Sequence, residues 1–408
     1  MYLLKRRAMA AMSDSTPNSS VTISTRSTIQ APEAEGPPMV ESGLNAEDPI
    51  APITPLTEAL RASAPLRLQQ YRGVQTVQTF SNAPDELAAL LAAAGVYDLG
   101  WKRFVRCTGE DRLRWLNGMV TNFITALEEN AGCYAFVLNA QGRIQGDLDI
   151  YRRADCVWLA TDATQAESLT ALLAHYIIMD DVTMEPQPAW TAIGIAGPLA
   201  ANKLAAAGLP AAPSSLHIAE ADWRGHPIIV VATYSPLVPR YEVWAAREHA
   251  RDLWNALTDE GTVPCGATSL EQLRIIEGTP AYSIDINDKA LPQETNQMRA
   301  LHFAKGCYLG QEIVERIRSR GNVHRTFSGF ILADAEPAAG TPLVAEGKPV
   351  GEITSVSRIA IPGVGERVLA LGNVRREALD RGLALTANET AATPSSLPFV
   401  FTGNASQP

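Results

Sequence analysis

Short alternating and apolar runs, broken by glycine and proline, dominate the chain from about Pro65 onward. Trp101 to Thr108 alternates as a strand does, and so do Tyr134–Asn139 and Asp147–Tyr151. The last two flank Ala140-Gln141-Gly142-Arg143, so they predict a hairpin. Leu87 to Ala94 predicts an Ala/Leu helix ended by Gly95, Asp111 to Leu116 a second and Ala166 to Tyr176 an amphipathic third, with a strand at Val157–Thr161. A second set follows in similar order: strands at Ala189–Ala196, Ile228–Ala232 and Tyr241–Ala245, and helices at Leu199–Ala207 and His249–Thr258. The two sets share element order but no visible sequence repeat, and they predict α/β layers. Gln311 to Arg320 reads as a helix with Ile313, Val314 and Ile317 on one stripe and Gly321 as its stop. From Phe327 the strands shorten and turns recur, which predicts a small β-barrel or sandwich of roughly 75 residues.

The ends read differently. Residues 1–64 are rich in Ser, Thr, Pro, Ala and Glu with little periodicity, and are expected to be a disordered tail. Met1 to Arg7 is basic without a following apolar region, so a secretory signal does not fit. A transit peptide suits the Ser/Thr-rich stretch up to Gln30, but Glu33, Glu35, Glu41, Glu47 and Asp48 argue against it, and Met9 or Met12 offers another start. Residues 388–408 are polar and expected to be flexible. Between the tails, 65–325 and 326–387 are expected to form the α/β region and the β-barrel domain.

Composition narrows the function. Of 408 residues, 46% are hydrophobic and 19% charged, as in ordinary globular proteins. The net charge of −10 argues against nucleic acid or an anionic membrane as partner. No stretch reaches the length of a membrane span. The 5 cysteines form no CxxC pair or Cys/His cluster, so no metal site is expected, and free thiols fit a reducing compartment. The expected location is cytoplasmic, with an organellar matrix as the alternative.

The candidate chemistry centres on Lys305-Gly306-Cys307-Tyr308-Leu309-Gly310-Gln311-Glu312. Cys307 precedes a helix start, two residues from Lys305 and ahead of Arg316, Arg318, Arg320 and Arg325. Such a setting promotes a thiolate, whereas an inert buried cysteine is the plainer alternative. Gly306 and Gly310 permit sharp turns, and Gln311 or Glu312 can cap the helix or bond to another element.

Five stretches carry a family resemblance. Leu113–Gly118 with Val120-Thr121-Asn122, Leu138–Ile144, Leu273–Pro280 and Asp285–Glu294 each resemble segments of the glycine-cleavage T-protein (GcvT, aminomethyltransferase) superfamily. KGCYLGQE resembles its YgfZ branch, which includes mitochondrial iron–sulfur assembly factors. The resemblance runs from about residue 66 to 385. It implies an α+β, three-domain GcvT-like cloverleaf: two α/β folate-binding lobes around a central channel and a small C-terminal β-barrel.

It further implies tetrahydrofolate or a derivative as cofactor. The function expected is a folate-binding accessory protein in iron–sulfur assembly or repair, with assembly proteins or client enzymes as partners. The alternative is a folate-dependent aminomethyltransferase or demethylase. Glu242 matches the glutamate that reads the pterin in T-proteins, although the lead-in from Tyr234 to Arg240 differs; otherwise it is a solvated strand acid. Arg274 matches an arginine near the folate, or it serves an interdomain salt bridge. Arg143 and Tyr134 complete the implied cofactor-binding set. Cys307, Lys305 and Asp147 form the implied catalytic set, and Tyr308 and Glu294 belong to the motifs. Asp147 occupies one place of an acidic pair whose other place is Gly146. Facing the channel, Asp147 serves as base or polarising group; facing out, it is a turn-proximal acid. Ser283 stands where the family commonly has glycine.

Overall fold

The computed structural model describes residues 51–401 apart from residues 64 and 322, so what was expected of residues 1–50 and 402–408 lies outside the described residues. Two large open sheets, the two-stranded sheet of Leu68–Tyr71 and Val74–Val77, and one closed barrel organise the described residues. The first sheet runs in the order Gly132–Leu138, Ile144–Arg152, Val157–Asp162, Lys102–Thr108 and Thr183–Pro186. The second runs Ile218–Trp223, His226–Ala232, Arg240–Ala246, Trp190–Ala196, Gly95–Asp98 and Val263–Cys265.

These orders are the same apart from Gly95–Asp98, which is inserted before the last strand of the second sheet. In both, three consecutive antiparallel strands lie beside the strand that precedes them in sequence. In both, a helix follows that preceding strand (Arg112–Met119, Ala200–Ala206) and another follows the third strand of the meander (Ala166–His175, Ala250–Asp259). The lobes meet where the Gly132 N–H donates to the Leu216 carbonyl at 2.6 Å and the Ile218 N–H to the Asn130 carbonyl at 2.9 Å. The echo in element order is therefore an echo in three dimensions.

The predicted hairpin forms, with Tyr134 opposite Asp149 and Phe136 opposite Asp147. Period-two alternation puts Leu148 and Ile150 into the core and Asp147 and Asp149 together on the other face. The helix Gln311–Arg320 forms as read, with Val314 buried and Gly321 at φ 112° after its last turn. The barrel closes in the order Arg325–Leu332, Gly365–Arg375, Lys348–Ile361, Pro342–Ala345, Thr386–Ala387 and Thr390–Ser395.

Several boundaries differ from the expectation. The helix expected at Leu87–Ala94 runs Ala83–Ala92, capped by the Asn82 side chain, and Gly95 opens a strand instead of ending a helix. The tail expected up to residue 64 already contains the helix Pro55–Arg61. Thr54 caps it, Leu56 is 1% exposed, and Thr54, Thr57 and Thr76 all donate to the buried Asp98 carboxylate. Low local periodicity hid a segment ordered by polar contacts with distant strands. The expected flexible end at residue 388 likewise gives way to the barrel's closing strand and to Phe399, which is buried and donates its N–H to Ile276 at 2.9 Å. Among the described residues no helix is long and apolar enough to cross a membrane.

Candidate functional site

A cavity of about 180 Å³ opens among the first sheet, the second sheet and the helix Ala267–Glu277. Strand ends and turn residues deliver a dense set of charges to it. The Lys102 ammonium reaches Glu242 Oε1 at 2.6 Å and Asp149 Oδ2 at 3.4 Å. The Trp244 indole N–H donates to Glu242 Oε2 at 2.7 Å. Burial opposes the Lys102 charge, but Glu242 and Asp149 outweigh it and hold the ammonium well above its ordinary value. Glu242 is 4% exposed, so the solvated-acid alternative does not describe it. A carboxylate has about four acceptor positions, and two remain here for a ligand's donors.

Asp147 lies deeper on the same strand face as Asp149. The Tyr134 hydroxyl donates to its Oδ2 at 2.6 Å and the Gln165 amide to its Oδ1 at 2.6 Å. Burial raises its pKa from the usual carboxylate value, against these two hydrogen bonds. Burial also raises Tyr134, which stays a phenol. Asp147 and Asp149 both line the cavity, and alternation in Asp147-Leu148-Asp149-Ile150 was the signal that could have found the second.

Arg274 also touches the cavity, but its five donors are spent. It donates to Glu271 at 2.9 and 2.5 Å, to Asp285 at 2.6 Å, to the Thr279 carbonyl at 2.7 Å and to Ser355 at 2.6 Å. Ser355 belongs to the barrel, and Asp285 also accepts from Thr354 and Ser355, so this cluster ties lobe to barrel. Burial opposes the guanidinium charge, yet Glu271 and Asp285 raise its pKa overall. The salt-bridge alternative for Arg274 describes this geometry.

Residues that the sequence did not single out complete the lining: Tyr71, Arg72, Tyr97, Asp162, Arg240 and Arg299 among them. Arg72 pairs with Asp162 at 2.6 Å and Arg240 with Glu277 at 2.9 Å. The Tyr97 hydroxyl and the Nε of Arg72 and Arg240 are buried with no hydrogen-bond partner among the described residues. Burial keeps Tyr97 a neutral phenol. Buried polar atoms of this kind ordinarily find partners, so three around one cavity fit a site that takes a polar ligand.

The Cys307 motif forms a separate place. Cys307 is exposed and outside the cavity lining, while Cys107, Cys133, Cys156 and Cys265 are buried. Lys305 does not offer its charge to the thiol: its Nζ donates to the carbonyls of Asn117, Val120 and Asn122, each at 2.6 Å. Burial draws its pKa down to about 7, yet only the ammonium form has a donor for each of the three carbonyls. Tyr308 is buried beneath Lys305, with Nζ 4.8 Å from its ring centre, and burial pushes its hydroxyl up to about 12.

Two glycines permit the close approach. Gly310 has φ 80°, and a Cβ there would lie 2.5 Å from the Asn139 carbonyl; a Cβ on Gly142 would lie 2.7 Å from Ile313. The motif thus seats directly on the hairpin turn 139–143. Gly306 faces open space. Gln311 accepts from the Tyr308 N–H at 3.1 Å, Glu312 is exposed, and Glu294 accepts from the Leu291 N–H at 2.9 Å. Arg143 donates to the Lys289 carbonyl and does not line the cavity. Among the sequence candidates, Glu242, Arg274, Asp147 and Tyr134 meet at the cavity; Cys307, Lys305 and Arg143 do not.

Known proteins place this architecture. The chain is 26% identical over 331 residues to a putative chloroplastic transferase of Arabidopsis thaliana, covering 79% of this chain and 75% of that one. It is 27% identical over 333 residues to an aminomethyltransferase of Rippkaea orientalis, covering 76% and 86%. The crystal structure of the glycine cleavage system aminomethyltransferase T from Bartonella henselae superposes with a TM-score of 0.78 at 21% identity, covering 86% of this chain and 98% of that one. The fold is therefore GcvT-like, with mixed α/β sheets and a closed six-stranded barrel. The family model for the GCVT N-terminal domain matches residues 62–305, and the chain belongs to that family.

Proposed function

We propose that the chain binds a tetrahydrofolate in the cavity and acts in folate-dependent one-carbon transfer. The observation that carries this reading is Glu242: a carboxylate buried in the cavity wall, fixed by Lys102 and Trp244, with acceptor positions left over. The adjacent N–H groups of a pterin edge suit such an acceptor, through charge-assisted hydrogen bonds. The unpartnered Tyr97 hydroxyl adds a donor and an acceptor nearby. Whole small-molecule sites commonly exceed about 300 Å³. The cavity therefore suits the ring end of such a ligand, with its tail outside. A reduced folate would supply the nitrogen that receives the one-carbon unit. Asp147, with its pKa raised, is suited to hold or pass a proton at that nitrogen, positioned by Tyr134 and Gln165. The aminomethyltransferase relatives support this reading over a ligand-free scaffold.

Calorimetry with tetrahydrofolate tests binding, and turnover with an aminomethyl or N-methyl donor tests transfer. Wild-type protein without heat of binding ends the folate reading. Binding without turnover on any such donor ends the transfer reading.

A second reading, a YgfZ-type role in iron–sulfur assembly or repair with assembly proteins or client enzymes as partners, is favoured by one observation. Cys307 is exposed while the other four cysteines are buried, and it sits in an intact KGCYLGQE loop braced by Lys305. Deleting the gene should then lower the activity of [4Fe–4S] enzymes, and Cys307→Ala should fail to restore it. Full rescue by that variant removes this role.

A further inference from the structure

Five cations line the cavity, and four of them are matched by carboxylates. Arg72 pairs with Asp162, Lys102 with Glu242 and Asp149, Arg240 with Glu277, and Arg274 with Glu271 and Asp285. The fifth, Arg299, has no carboxylate within ion-pair distance among the described residues. Its Cζ lies 4.1 Å from the ring centre of Tyr134 and 4.2 Å from that of Tyr234. Its Nε donates to Gln297 Oε1 at 3.0 Å, and its carbonyl accepts from the Asn122 amide at 2.9 Å. The backbone and the base of the guanidinium are thus held. The two Nη groups, with four N–H donors, have no acceptor among the described residues.

We propose that Arg299 is the anion subsite of the cavity and receives a carboxylate of the ligand. This assignment rests on the folate reading for the identity of the ligand, although the subsite itself does not. Two aromatic faces stabilise the cation without consuming its in-plane donors, because cation–π attraction acts through the ring face. The free Nη edge matches a carboxylate in bidentate geometry, which a lysine at this place would not reproduce. The neighbouring Tyr134 hydroxyl is committed to Asp147, so it does not compete for the same acceptor. Tyr234 is partly exposed, on the segment between the strands His226–Ala232 and Arg240–Ala246, which places the subsite toward the outside of the cavity. A carboxylate arriving there would come from one of two sources: the glutamate tail of the folate, or a small amino acid that donates the one-carbon unit.

The test compares ligand pairs in which one member lacks the whole carboxylate-bearing arm: tetrahydrofolate against tetrahydropterin, and N-methylglycine against methylamine. Each is titrated into wild type, Arg299→Gln and Arg299→Lys. Loss of a charge-assisted hydrogen-bonded pair predicts about tenfold to a hundredfold weaker binding of the carboxylate-bearing member, with its partner unchanged. Loss confined to tetrahydrofolate identifies the tail, and loss confined to N-methylglycine identifies the donor. Arg299→Lys should recover only part of the affinity. Equal weakening of both members of a pair, or no change in either pair, overturns the assignment. If tetrahydrofolate and tetrahydropterin both fail to bind wild type, the folate reading fails while the N-methylglycine pair still decides the subsite; no binding of N-methylglycine either overturns it. Melting curves of the two variants establish that they are folded.

Discussion

Around the cavity, charge is buried and answered by opposite charge; around Cys307, the nearby cation is turned away into the main chain. Lys102 and Lys305 make the contrast concrete. Lys102 is fed by two carboxylates and remains an ammonium far above neutrality. Lys305 has carbonyl dipoles and the face of the Tyr308 ring but no carboxylate within ion-pair distance among the described residues, and burial draws it down to about 7. A full negative charge compensates desolvation where neutral acceptors do so only in part. The cavity is thus an electrostatic site that a polar ligand can enter. The Cys307 loop is a mechanical clasp carrying an exposed thiol, and its lysine locks the loop to the 117–122 segment.

The contrast can be broken at several points. Lys102→Met should cost the most, about 3–5 kcal/mol, because Glu242 is left as a buried charge without its partner; chemical denaturation measures it, and a loss below 1 kcal/mol would mean that Glu242 is solvated. Lys305→Met should cost about 3 kcal/mol by leaving carbonyls without donors, with folate affinity changed much less than by any substitution at Glu242. Glu242→Gln should weaken tetrahydrofolate binding by about one to two orders of magnitude, since a charged acceptor becomes a neutral one; calorimetry reads this directly.

Asp147 gives a pH signature. Its pKa is raised in the folded state, so the native protein keeps a proton that the unfolded chain has released. Stability from this group is therefore present at low pH and declines as pH rises from about the ordinary value of 3.8 toward the raised one. The difference in stability between wild type and Asp147→Asn, followed across that window, should show this decline; a difference that is flat or grows with pH contradicts the burial argument.

The smallest effects sharpen the contrast from the other side. Ser283 adopts φ 67°, a left-handed conformation that carries a steric penalty for a side chain and none for glycine. Ser283→Gly should raise stability by about 1 kcal/mol. Cys307→Ala should leave both stability and folate affinity within about 0.5 kcal/mol of wild type, as for an exposed position away from the cavity.

Much of the architecture was legible because it repeats short-range patterns. The hairpin around Gln141-Gly142, the helix Gln311–Arg320 and the change of texture into the barrel each announce themselves within a dozen residues. Residues 51–63 and 388–401 did not, because their order comes from partners far along the chain, Asp98 for one end and Ile276 for the other. Glu242 and Asp147 were legible through a family likeness, whereas Arg72, Lys102, Arg240 and Arg299 looked like any surface cation.

What the sequence determined by itself was the alternation that puts Asp147 and Asp149 on one face, the glycines at 142 and 310, and the motifs that mark the family. Which charges face one another, which cation stays unmatched, and that Arg274 is spent while Arg299 is not, were decided only by the tertiary structure. Hydrophobic periodicity is local and survives in the one-dimensional chain. Electrostatic pairing depends on distances of a few ångströms between residues up to about 140 positions apart, such as Lys102 and Glu242.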